Sequence, residues 1–381
     1  MQGNQNFSRR NFIGGLATAL TFAGAYPNIT FPWQDSQRGQ RKPDDYDRMA
    51  KLSFNENPYG PSEVVMKAMT DAFKYANRYG YPDGGINEAI AKHHGLKPEN
   101  VLLGAGSGEI LKVADDTFLI DHKKVVGVDP TFQTVYQFAV NSRSEAIKIP
   151  LLKDYRMDIP GIIKAVKNNY RDVGFVYIVN PNNPTGNIIP KQEIQQLLDS
   201  IPGDVPVLID EAYYHFVDDP NYATSVPYIT EGRQVIVTRT FSKIAALAGM
   251  RLGYGLASKE LIARMRPFAD ASINAIVKWG GVAALGDTAT QVWTKKTTLA
   301  LRRKTTDQLT ALGYNVIPSE TNFFMVHVRR DVTPIIAEFE KKGVLVGRKF
   351  PPMNEHLRVS VGTAEEMDRF LTAFKEIFKQ A

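Results

Sequence analysis

The sequence predicts an α/β fold: a large domain around a mostly parallel central sheet, followed by a smaller α+β domain at the C-terminal end. Two observations predict it. From about residue 67, short β-branched runs alternate with amphipathic helical patterns, and after about residue 271 that alternation stops. The runs are NVLLG (100–104), KVVGVD (124–129), VGFVYIVN (173–180), VPVLID (205–210), QVIVTRT (234–240) and RLGYGLA (251–257). They are apolar at most positions, as strands covered on both faces must be. Between them lie segments such as PKQEIQQLLDSI (190–201), with proline at the start and apolar residues at helical spacing. Beyond residue 271, a long helical stretch (283–312) leads into NFFMVHV, which reads as hairpin-like. A strand near HLRVSVG (356–362) and a final helix over 364–379 follow. The expected division is 67–270 for the large domain and 271–381 for the small one, with 49–66 supplying the N-terminal part of the small domain.

Composition narrows the function classes. The chain has 381 residues, 43% hydrophobic and 23% charged, which is ordinary for a globular protein and enough for a large core plus a second lobe. Its +6 net charge comes from basic residues scattered among acids, the pattern of a solvated surface and not of a nucleic-acid footprint. There is no cysteine, which excludes disulfides, thiolate metal sites and cysteine nucleophiles. The six histidines, His93, His94 and His215 among them, show no metal-ligand spacing, so no metal is expected.

The first 25 residues contain no acid, two adjacent arginines (Arg9 and Arg10), a soft apolar run from residue 13 to 25, and small residues at Ala23 and Ala25. This is the three-part build of a secretory signal, and the run is too short to span a bilayer. The stretch SRRNFI (8–13) resembles the twin-arginine export signal of bacteria, so a periplasmic or otherwise exported protein is expected, with no stable membrane span once the leader is removed. Residues 26–48, rich in Pro, Gln, Asp and Arg, read as a linker or extended arm.

Ligands of open parallel sheets bind outside the carboxyl ends of the strands. Five such ends carry residues of interest. The first carries GAGSGE (104–109), a glycine-rich turn opening a helix, whose amides around Ser107 and Gly108 suit a phosphate. The spacing is G-x-G-x-G and not the dinucleotide G-x-G-x-x-G, and the lysine of a P-loop is missing. The second carries DPTF, where Phe132 can stack on a flat ligand or simply join the core. The third carries NPNNPTG (180–186), a rigid turn that can aim an asparagine amide at a ligand. The fourth carries DEAYYHF (210–216): Asp210 follows VLI into a buried position, where it needs a cation or hydrogen bonds to stay ionised, or it serves as a plain helix cap. Tyr213 adds a phenol. The fifth carries Ser242 and Lys243, with Arg251 behind them. A partly desolvated lysine near other cations has a lowered pKa and can form a Schiff base. One ligand satisfies all five ends: a flat ring with a phosphate, an aldehyde and a ring nitrogen that wants an acid, which is pyridoxal 5'-phosphate (PLP).

FNENPYGPS (54–62), NPNNPTG, DEAY, TFSK with Arg251 behind it, and LRVSVGT (357–363) together resemble the class I/II aminotransferases, most of all the histidinol-phosphate aminotransferase branch. The likeness covers about residues 52–378. It implies the PLP-transferase fold type I, a homodimer, and transfer of an amino group between an amino acid (or a histidinol-phosphate-like amine) and a 2-oxo acid. It also implies roles. Lys243 would hold PLP as an internal aldimine and shuttle the proton between substrate Cα and the cofactor. Asp210 would pair with the pyridinium nitrogen, Asn183 and Tyr213 with the 3'-oxygen, and Phe132 would stack on the ring. Ser107, Gly108, Thr240, Ser242 and Arg251 would hold the phosphate, with Tyr81 reaching it from the partner subunit. Arg358 would clamp the substrate carboxylate, Arg348 a distal phosphate, and Asn57 and Tyr59 would line the pocket. The chain departs from the branch at Gly108, where relatives often carry aspartate, and at Phe132, where many carry tyrosine. Decarboxylases and cyclases share the PLP residues, so they stand as alternatives, as does an exported PLP- or amino-acid-binding protein without catalysis.

Overall fold

The computed structural model describes residues 43–270 and 272–379. The twin-arginine leader, and the arm up to residue 42, lie outside the described residues. Within the arm, Pro43–Asp47 forms one helical turn where a linker is expected: proline opens it and two acidic residues follow, a sequence suited to a helix N-terminus.

Among the described residues from Ala50 onward the chain forms twelve strands: β1 (Ala50–Leu52), β2 (Val101–Gly104), β3 (Lys124–Asp129), β4 (Ala146–Pro150), β5 (Val173–Val179), β6 (Val207–Asp210), β7 (Val235–Thr240), β8 (Gly253–Leu256), β9 (Asn315–Ile317), β10 (Phe323–His327), β11 (Val344–Val346) and β12 (His356–Ser360). Seven of them make the main sheet, in the order β2-β8-β7-β6-β5-β3-β4. The pairs β4/β3, β3/β5, β5/β6 and β6/β7 are parallel, and only β8 runs against its neighbours, β7 and β2. All six predicted runs are strands. β4 escapes the sequence pattern because it is an edge strand, with no residue fully buried, so AIKIP lacks the continuous apolar signature of its interior neighbours.

The arrangement serves the site in one respect. Strands β2, β3, β5, β6 and β7 all point the same way, so Gly104, Asp129, Asn180, Asp210 and Thr240 gather along one edge of the sheet. The strands between them are held rigidly. β5 is buried at every position, and Phe175, Val176, Tyr177 and Ile178 lie in the core shared with the covering helices.

A second core lies around β10 and β12, antiparallel in register Phe323↔Ser360 to His327↔His356, with β9 on the far side of β10. The expected hairpin-like strand is thus the middle of three. β1 pairs in parallel with β11, and Leu52, Phe324, Phe339, Val359, Phe370 and Phe374 pack together beneath them. Each fully buried side chain of this size contributes roughly 1.5–3 kcal/mol. The long helix expected over 283–312 is two helices, Ala275–Gly286 and Thr288–Ala311. Asp287 breaks it: its backbone leaves the helical region and its side chain accepts from Thr290 N at 3.2 Å, capping the second helix.

Candidate active site

Asp210, the last residue of β6, is buried, and its Oδ1 accepts from Ala212 N at 3.0 Å. Burial pushes its pKa up to about 6, against the pull of the nearby Thr238 hydroxyl, the Ala212 amide and the Lys243 cation. The carboxylate therefore has surplus need of a positive partner. Three residues on, Tyr213 is buried with its hydroxyl accepting from Asn55 Nδ2 at 3.0 Å and Asn183 Nδ2 at 3.4 Å.

Lys243 is half-buried, with Nζ donating to the Phe54 carbonyl at 3.1 Å and lying 5.6 Å from the centre of the Tyr213 ring. Burial lowers its pKa to about 8, helped by the Arg358 and Arg251 cations and opposed by Glu56 and Asp210. A substantial neutral fraction near pH 8 makes it a nucleophilic amine.

The glycine-rich turn and the residues behind Lys243 form a cradle. The helix Ser107–Phe118 starts at Gly106 with no side-chain cap, so no side chain takes its first amides, as an anion site at a helix start requires. Gly106 has φ +82°, and a Cβ there would strike the Arg251 guanidinium. Arg251, itself left-handed at φ +59°, donates to Ala105 O (3.1 Å), Ala248 O (2.9 Å) and Ser242 Oγ (3.5 Å). Thr240 Oγ1 donates to Ser242 Oγ at 2.9 Å and accepts from Ser242 N at 3.0 Å. At Gly108 a Cβ would meet open space. Phe132 is half-buried at the rim of the main core, its carbonyl accepting from Tyr177 Oη at 3.2 Å.

Arg358 comes from β12 of the other core. Its Nη1 donates to Asn183 Oδ1 at 2.7 Å and its Nη2 to Ser53 O at 2.6 Å; its Nε is buried without a partner. No carboxylate among the described residues pairs with it. Its guanidinium lies 4.6 Å from the centre of the Phe350 ring, and that of Arg348 lies 4.2 Å from the same centre. Burial lowers the Arg358 pKa to about 10.

The structure thus brings Asp210, Tyr213, Asn183, Lys243 and Arg358 into one linked cluster. Asn57 joins it indirectly, its Nδ2 donating to the Ile244 carbonyl at 3.0 Å, one residue past Lys243. Tyr59 stands edge-on to Trp293 at 4.7 Å. Tyr81 remains 82% exposed on this chain. Two residues of the cluster have no place in the sequence reading. Asn55 and Ser360 hydrogen-bond to each other (Ser360 Oγ to Asn55 Oδ1, 2.9 Å) and hold Asn55 against Tyr213. The signal for Asn55 was its place in FNENP, where asparagine tolerates the φ of +55° it adopts.

These residues fit PLP on grounds of geometry and charge. An uncapped helix start with an arginine packed where a Cβ of Gly106 would stand suits its phosphate, and a buried acid of raised pKa suits its ring nitrogen. A depressed-pKa lysine suits its aldehyde.

Comparison with known proteins agrees. Residues 47–374 match the family "Aminotransferase class I and II". The histidinol-phosphate aminotransferase of Moorella thermoacetica is 36% identical over 338 residues, covering 86% of this chain and 85% of that protein. The one from Halalkalibacterium halodurans is 32% identical over 341 residues, covering 87% and 90%. A crystal structure from Erwinia carotovora atroseptica shares 33% identity with a TM-score of 0.85, covering 88% of this chain and 97% of that one. In fold, the chain is also similar to the histidinol-phosphate aminotransferase of Sinorhizobium meliloti solved with pyridoxal-5'-phosphate, at 23% identity and TM-score 0.82 over 94% and 99% of the two chains. The chain belongs to the class I and II aminotransferases, PLP-dependent transaminases of fold type I.

Proposed function

We propose that this aminotransferase takes its amino group from a substrate carrying an anionic group beyond the reacting amine, of the histidinol-phosphate or acidic amino acid kind, and passes it to a 2-oxo acid. The observation that carries this reading is the pair Arg348 and Arg358 on the shared Phe350 ring, neither of them paired with a carboxylate among the described residues. Two such cations attract a ligand that brings negative charge. The names of the relatives in Moorella and Halalkalibacterium support a phosphorylated amine as the first to try.

PLP supplies an aldehyde that condenses with amines and a ring that takes up the electron pair left at substrate Cα. The chain's residues would do the rest. Asp210 would keep the ring nitrogen charged. Tyr213, steadied by Asn55 and Asn183, would donate to the ring oxygen. Phe132 would stack on the ring, and Ser107, Gly108, Thr240, Ser242 and Arg251 would hold the phosphate. Lys243 Nζ would carry the proton at substrate Cα. Asn57 and Tyr59 border the substrate.

The protein works as a homodimer in this reading: Tyr81 and Tyr79 stand 82% and 103% exposed, and a second copy would cover them and receive Tyr81 at its phosphate cradle. The N-terminal SRRNFI supports export outside the cytoplasm, folded with its cofactor in place. The experiment is a single-turnover screen of the purified holoenzyme with histidinol phosphate and with aromatic, basic and acidic amino acids. A transaminase converts the cofactor to its amine form with the right donor; loss of carbon dioxide with the cofactor unchanged would instead indicate a decarboxylase. Preference for a basic or neutral donor over every anionic one would refute the substrate class.

A further inference from the structure

Behind the cofactor bed lies a second charged cluster. Alternation along β7 puts Thr238 and Thr240 on the face of Asp210 and turns Arg239 to the other, where Glu211 also lies. Both residues are buried, Arg239 at 3% and Glu211 at 1% exposure. Arg239 Nη2 and Nε donate to Glu211 Oε2 at 2.7 and 3.2 Å, Nη2 also to Thr224 Oγ1 at 2.7 Å, and Nη1 to His94 Nδ1 at 3.3 Å. Glu211 accepts further from Ser225 N (2.6 Å) and Thr224 Oγ1 (2.8 Å). The guanidinium lies 3.6 Å from the centre of the Tyr214 ring. Because a guanidinium only donates, His94 Nδ1 must accept, so the proton sits on Nε2 and is given to the Tyr254 hydroxyl at 2.9 Å. Burial and the Arg239 cation hold His94 down to about 3, so this ring is neutral.

We propose that Glu211 and Arg239 form a positioning pair for the cofactor bed, locking the ends of β6 and β7 together from behind so that Asp210 and Thr240 face the ring and the phosphate at fixed spacing. The proposal rests on the reading of Asp210 and Thr240 as cofactor residues. Glu211 directly follows Asp210, and Arg239 directly precedes Thr240. The β6/β7 ladder ends at Asp210↔Thr238, with one more bond from Glu211 N to Thr238 O at 2.9 Å. Past that point no backbone bond ties the two strands, and the buried ion pair is what spans them. Stability alone does not ask for a charged pair here, since apolar residues of similar volume hold a core at least as well; geometry does.

The test compares three variants: Glu211→Gln, the milder Thr224→Val, and Phe339→Leu in the second core as a control for mere destabilisation. Each is read by the melting temperature without cofactor, by PLP affinity, and by the pH midpoint of the visible band of Lys243-bound PLP. Glu211→Gln is expected to lower PLP affinity about 10-fold and to shift the midpoint by roughly half a unit, with Thr224→Val moving both in the same direction by less. Phe339→Leu should melt earlier with wild-type affinity and midpoint. Wild-type affinity and midpoint in Glu211→Gln, or in Thr224→Val should the former not fold, would overturn the proposal. So would an equal loss of affinity in Phe339→Leu. Absence of any visible band in the wild-type protein with PLP would sink the cofactor reading itself, a distinguishable result.

Discussion

Two arginines in this chain are almost equally buried, Arg239 at 3% exposure and Arg358 at 6%, and they are built in opposite ways. Arg239 has a carboxylate at 2.7 Å, a hydroxyl, an imidazole and an aromatic face, and its pKa is pushed up above its ordinary value. Arg358 has an amide oxygen, a carbonyl, one nitrogen left over, and a second arginine sharing its aromatic ring. Its pKa is lowered to about 10. The protein completes the first arginine with a counter-charge and, among the described residues, gives the second none. Burying a cation without its counter-charge costs stability, and a site that carries that cost recovers it only when an anion arrives.

The largest expected effect lies between them, at the amine proposed to do the chemistry. Lys243→Ala should abolish both turnover and the borohydride-reducible visible band, while the two arginines stay as they are. An unchanged band would show that PLP is held elsewhere.

Next comes a crossed pair. Arg239→Gln leaves Glu211 buried and unpaired and should cost about 3–5 kcal/mol of stability in denaturant unfolding of the cofactor-free protein. Arg358→Gln should do the reverse: donor KM rises about 100-fold, and the cofactor-free protein becomes no less stable. The sign follows from the depressed folded-state pKa. A base whose folded pKa is lowered charges less readily in the folded state, so below about pH 10 its charge costs stability, and removing it relieves that cost. Equal destabilisation by the two substitutions would break the comparison.

A smaller effect is expected at the phosphate cradle. Gly106→Ala meets both the φ of +82° and the Arg251 guanidinium, so PLP affinity should fall by at least about 10-fold, with a modest loss of stability. Smallest is a pH effect: the rate at which cofactor-free protein takes up PLP should rise with pH to a midpoint near 8, where Lys243 loses its proton, and not near the ordinary lysine value. Stopped-flow absorbance across pH 6–10 would measure it.

The same contrast shows what the sequence could reveal. Lys243 and Asp210 were legible because each follows a buried strand run, where a polar residue is anomalous, and because parallel strands bring their carboxyl ends together, while Arg251 was legible only as a second cation close behind Lys243. Arg358 was legible only through resemblance, since LRVSVGT does not say that its β12 will meet Asn183 from another part of the chain. Glu211 and Arg239 stood in quoted motifs, but strand alternation turns them away from the site, and their pairing depends on the sheet order. Asn55 and Ser360 are 305 residues apart and meet only in the folded chain. β4 was hidden by its edge position, and the helix break by an aspartate that reads as an ordinary polar helix residue until its capping bond is seen.

The most direct measurement of the central claim is the melting temperature of the PLP-loaded protein titrated with succinate, which brings carboxylates and no amine. The account predicts a saturable rise in the wild-type protein that is lost in Arg358→Gln. An equal rise in both proteins, or none in the wild type, would contradict the claim that Arg358 waits for an anion from the substrate.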